Sequence, residues 1–113
     1  MPSGPTHLTL TIEQKSNAVI VLCHGKLLAE TTDLLHLPVS QLMAEHKRII
    51  LDLAQLNQMD SMGLGVLVRL YVSAKGKGCT LELHNLGKKV RELLILTNLL
   101  PVFSTVGESR TWM

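Results

Sequence analysis

The residues best placed to do chemistry lie in one short stretch, Met59-Asp60-Ser61-Met62-Gly63-Leu64-Gly65, where a hydroxyl and a carboxylate stand side by side between apolar segments. A serine there invites comparison with a hydrolase nucleophile. The hydrolase elbow, however, requires glycine two residues before and two residues after the serine, and those places hold Met59 and Gly63. The glycine pair Gly63 and Gly65 fails as a dinucleotide fingerprint, because Val68 stands where the third glycine belongs. The histidines His7, His24, His36, His46 and His84 have neither metal-ligand nor triad spacing, so no metal and no cofactor is expected. Cys23 and Cys79 sit inside apolar runs and read as inert core thiols.

Around this stretch, Ile49, Ile50, Leu51 and Leu53 form an aliphatic run too short for a helix. They are expected to be a strand covered on both faces of a parallel sheet. Asp60 and Ser61 are good helix N-caps, and a helix is predicted from them to about Lys75, ended by Gly76-Lys77-Gly78. Gly63 and Gly65 would let backbone or a partner come close. The polar loop thus lies at the carboxyl end of a strand, the edge at which open α/β sheets meet ligands and partners.

The remaining chain supplies the frame. Leu8 to Ile12 and Ala18 to Cys23 read as two strands joined by a hairpin-like connection, Glu13 to Asn17, with Gly25 breaking the pattern. Thr31 or Thr32 caps a helix carrying Leu34, Leu35, Leu37, Leu42 and Met43, and Pro38 predicts a kink or two short helices. Thr80 to Leu83 is a further strand and Lys88 to Thr97 an amphipathic helix, with Asn98 as a left-handed stop before Pro101. A last short strand is expected around Val102 to Thr105. Strands alternating with helices call for right-handed βαβ units.

The chain of 113 residues, 46% hydrophobic and 18% charged, has the size and apolar content of one domain with a real core. Residues 1–6, rich in proline, glycine and serine, are expected to be a loose tail, with the domain spanning 7–113. A net charge of +2 with one Trp, one Tyr and one Phe offers neither a basic field nor stacking platforms, so nucleic acid is not an expected partner. No apolar run is long enough for a membrane span and no secretory leader is visible, so a cytoplasmic protein without membrane insertion is expected.

Leu51-Asp52-Leu53, then Met59-Asp60-Ser61-Met62-Gly63-Leu64-Gly65, followed by Gly78, Leu81-Glu82-Leu83-His84-Asn85, Val90 and Leu93-Leu94, resembles the STAS domain of anti-sigma-factor antagonists. The resemblance covers nearly the whole chain, and its most specific part is Asp-Ser-x-Gly-Leu-Gly. It implies a single α/β domain, with a mostly parallel sheet, an N-terminal antiparallel hairpin and helices packed on it. It also implies a binding module and not an enzyme. In that family the signature serine, here Ser61, is phosphorylated by an anti-sigma kinase, and the unphosphorylated form binds that kinase to release a sigma factor. Two departures stand out: Met62 occupies the place of a second serine, and Gly25-Lys26-Leu27-Leu28 replaces a Gly-Glu-Leu-Asp-like loop. A STAS subunit of a transport or lipid-trafficking complex, binding a membrane-associated ATPase, is the alternative the resemblance leaves, and a small hydrolase using Ser61 is the other class left open.

Helical geometry adds an expected docking face. At about 100° per residue, Leu64, Leu67, Val68, Leu70, Tyr71 and Ala74 share one side, and Met62, Gly65, Val66, Arg69 and Ser73 the other. The second side, with Asp60, Ser61 and Gly63, is expected to meet a partner, the alternative being that Val66 packs at the margin of a neighbouring helix.

Overall fold

The computed structural model describes residues 7–106; the expected tail at residues 1–6 lies outside them. Strands β1 (Leu8–Gln14) and β2 (Val19–Leu27) form the hairpin, followed by a 3-10 turn (Ala29–Thr31) and α1 (Thr32–Leu42). Then come β3 (Arg48–Met59), α2 (Ser61–Gly76), β4 (Thr80–His84), α3 (Lys88–Leu96) and α4 (Leu100–Val106). The sheet order is β1-β2-β3-β4, with β1 antiparallel to β2 and the other pairs parallel. This is the expected single α/β fold with its hairpin.

The register sorts the side chains. Val19, Val21, Ile49, Leu51, Leu81 and Leu83 face one way and join Leu35, Val39, Leu67, Leu70, Val90, Leu94 and Phe103 of the helices in one core. The expectation that β3 is covered on both faces is corrected. Among the described residues all helices pack on this one side, and Ile50, though buried, stands outside that core between Ile20 and Glu82. The opposite face carries Arg48, Asp52, Glu82 and His84.

β3 runs well past Leu53, because its polar second half pairs with the bulged end of β2, whose register shifts between Leu22 and His24 and again between Gly25 and Lys26. Gly25 does not end β2. With φ at +114°, it sits inside the strand, where a side chain would strike the His7 carbonyl. Helix α1 continues through Pro38 as one element, giving up only the bond that the Leu34 carbonyl would accept. Asn98 takes the expected left-handed conformation, φ 61°. The expected strand at Val102 to Thr105 is instead part of α4. Pro101 near its start is compatible with a helix N-terminus, and the Phe103 ring meets Tyr71 edge-on at 5.5 Å.

Candidate functional site

The polar second half of β3 delivers the chain to Met59, and α2 then starts immediately, its N-cap being Asp60 in extended conformation. Both carboxylate oxygens of Asp60 accept backbone hydrogen bonds. Oδ1 takes the Gly63 N–H at 2.9 Å, the usual capping bond, and Oδ2 takes the Ala29 N–H at 3.1 Å, tying the helix start to the turn after β2. The Asp60 N–H in turn donates to the Leu27 carbonyl at 3.3 Å. Beneath this, the buried Thr31 hydroxyl donates to the Lys26 carbonyl at 2.9 Å and accepts from the Leu28 N–H at 2.8 Å. One loop thus clamps the other.

Gly63 is the point of contact. A Cβ there would lie 2.9 Å from Leu27 Cγ and 3.0 Å from the Leu27 carbonyl carbon, and closer still to its oxygen, so only glycine lets α2 sit this near β2. Gly65, by contrast, faces open space, with nothing within 4 Å of an added Cβ.

Ser61 occupies the first helical position and is exposed. Among the described residues its hydroxyl makes no hydrogen bond, and neither its N–H nor that of Met62 has an acceptor. Leu64 donates to the Asp60 carbonyl at 3.0 Å and Gly63 to the cap. Among the described residues no histidine or carboxylate is bonded to Ser61 as a base, and a cleft of about 450 Å³ lies elsewhere, between His7, Thr9, His24 and Gln55. No group of three or more potential metal ligands occurs among the described residues, and no described helix is long and apolar enough to cross a membrane.

The exposed face of α2 is Ser61, Met62, Gly65, Arg69 and Val72, with Met62 59% and Val72 62% exposed. Val66, expected on this face, is corrected: it is fully buried. Tyr71, which meets Phe103 of α4, and Val66 lie on opposite flanks of α2, so the arc of burial is wider than a single helical face. Gly63 is likewise buried, so it supports the loop and offers no surface to a partner.

Sequence reasoning missed one polar cluster on the far face of the sheet. Arg48 grips Glu82 with Nε at 2.6 Å and Nη2 at 3.0 Å, and His84 Nε2 meets the same carboxylate at 2.9 Å. Burial raises the Glu82 pKa, but its bonds and proximity to Arg48 and His84 outweigh this and hold it below the ordinary value. The alternation of Leu81 and Leu83 with Glu82 and His84 was the available signal. Cys23 and Cys79 are free buried thiols as expected, burial and then the Asp52 charge pushing Cys23 up to about 12.

Comparison with known proteins adds the decisive observation: the STAS domain model matches residues 9–109. The chain belongs to the STAS domain family. Protein TM1081 of Thermotoga maritima is 27% identical, with 82% of this chain and 81% of that one aligned at a TM-score of 0.76. An anti-sigma factor antagonist from Mycobacterium paratuberculosis is 23% identical, aligned over 90% and 87% of the two chains at 0.75. Phosphorylated SpoIIAA of Bacillus is 19% identical, aligned over 82% and 86% at 0.67. This STAS domain therefore resembles anti-sigma factor antagonists in fold over most of its length, within a family that is generally non-catalytic.

Proposed function

We propose that this STAS domain is an anti-sigma-factor antagonist, a cytoplasmic binding module that sequesters an anti-sigma factor kinase and is switched off by phosphorylation of Ser61. The observation that carries the reading is the division of labour at the start of α2. Asp60 does all the capping, and Ser61 is left exposed with an uncommitted hydroxyl.

The physical chemistry of a switch follows. A phosphate on Ser61 adds about −1.5 to −2 charges beside the free N–H groups of the first turn, where helix ends favour anions, so the fold tolerates it. The surface beyond it is Met62, Gly65 and Val72 with Arg69, and the Asp60 carboxylate lies next door. A partner that packs on this mixed apolar face would have to desolvate a dianion, which opposes binding.

Incubation with ATP and the serine kinase encoded nearest the gene, followed by phosphopeptide mapping, tests this. The expected result is a single phosphate on Ser61, none on Ser61→Ala, and weaker kinase binding by Ser61→Asp than by Ser61→Ala. A phosphate elsewhere, or equal binding by the two variants, refutes the switch.

A further inference from the structure

Among the described residues the sheet ends at β1, and the geometry points to what that edge does. At one end of the hairpin the Lys26 N–H donates to the His7 carbonyl at 3.2 Å; at the other the Lys15 N–H donates to the Ala18 carbonyl at 2.8 Å. In the β1–β2 register His7 lies opposite Lys26, and Lys15 opposite Ala18, by extension of the pairs Leu8 with Gly25 and Gln14 with Val19. Antiparallel ladders alternate hydrogen-bonded and non-hydrogen-bonded pairs. So Thr9, Thr11 and Glu13 spend their backbone groups on β2, and Leu8, Leu10, Ile12 and Gln14 turn theirs outward. No proline interrupts this edge, no register shift bends it, and Glu13 is its single charge. Long flat edges with free N–H and C=O groups are templates for another strand.

We propose that β1 pairs antiparallel with β1 of a second copy of this chain, making one continuous eight-stranded sheet. The sequence is self-complementary about Thr11. Around that two-fold axis Leu10 stands opposite Ile12 of the second copy and Leu8 opposite Gln14, so all four outward-facing residues of each strand exchange backbone bonds. Ile12 is 44% exposed and Leu10 is half-buried, both on the helix-covered side, so this register extends the apolar layer across the junction. On the other side Thr11 meets Thr11 and Thr9 meets Glu13, and no like charges face each other. The edge is two strands away from β3 and α2, so the Ser61 surface stays open in the dimer.

Sedimentation of the full chain from micromolar to millimolar concentration reads the association, and cysteine cross-linking reads the register. In a non-hydrogen-bonded pair the facing Cα atoms are about 4.5 Å apart, within disulfide reach, so Thr11→Cys is expected to give an oxidised dimer whose cross-linked peptide joins position 11 to itself. Thr9→Cys pairs with itself across about 13 Å and is expected not to cross-link. Ile12→Pro removes an outward N–H without touching the β1–β2 ladder, a place where edge strands accept proline, and is expected to abolish the dimer while circular dichroism is unchanged. Ile12→Lys tests the same point without proline. A chain that is monomeric at every concentration, Thr9→Cys cross-linking as readily as Thr11→Cys, or a folded Ile12→Lys that dimerises like the parent overturns the proposal.

Discussion

Alanine at Gly63 and alanine at Gly65 are the same substitution two residues apart in one helix, and they should change stability in opposite directions. In both cases helix propensity gains about 1 kcal/mol. At Gly63 the new methyl would stand 2.9 Å from Leu27 Cγ and 3.0 Å from the Leu27 carbonyl carbon. Carbon atoms rest about 3.5–4.0 Å apart, so the start of α2 must retreat by about 0.5–1 Å. The Leu27 side chain is 1% exposed and its carbonyl accepts the Asp60 N–H, so neither moves freely. Overpacking of this kind costs about 1–3 kcal/mol, and loosening the Asp60 to Leu27 bond adds about 1 kcal/mol. After the propensity gain, Gly63→Ala is expected to lose about 1–3 kcal/mol, and Gly65→Ala, in open space, to gain about 0.5–1 kcal/mol. Thermal unfolding resolves this, since 1 kcal/mol corresponds to about 4 °C in a domain of this size. Equal midpoints for the two variants, or a more stable Gly63→Ala, would refute the view that the β2 carbonyl sets the position of this helix.

Two further outcomes follow from burial and charge. Val66→Lys puts an ammonium where a fully buried valine stood, and is expected to cost at least about 3 kcal/mol in urea unfolding, unlike a surface substitution. Glu82 has its folded pKa held down by Arg48 and His84 against the effect of burial, so its contribution is present above the unfolded value of about 4.3 and is lost as pH falls through the lower folded value. Glu82→Gln is therefore expected to cost about 1–3 kcal/mol at neutral pH and to flatten the acid limb of the stability profile below about pH 4.5, measured by denaturant titration across pH.

Local chemistry wrote much of the fold into the sequence. The aliphatic run from Ile49, the Asp60 cap, the close approach at Gly63 and the Asn98 stop each have one structural meaning that neighbours reinforce, whereas the polar stretch read as a loop before Asp60 is the second half of β3. What misled was tertiary. A helical wheel leaves Val66 either on the partner-facing side or at the margin of a neighbouring helix, and the structure buries it fully. The branched residues after Pro101 favour a strand by propensity, yet the segment is helical, and from it Phe103 is buried against Tyr71. Ile50 lengthened an apolar run that resembles a two-sided strand, while its neighbours Arg48, Asp52 and Glu82 belong to a polar face. The reach of Asp60 to Ala29, 31 residues away, has no local signal at all.

That long reach also bears on the modification proposed for Ser61. A serine that caps its own helix would lose its cap when esterified, and folding and signalling would then be coupled at one oxygen. Here the aspartate before it holds both the helix start and the turn after β2, and the buried glycine after it fixes the distance between α2 and β2. Ser61 and Met62 are left on the outside of a framework in which neither side chain takes part. Charge added at Ser61 is therefore expected to change what the surface binds while leaving intact the bonds that hold the surface in place.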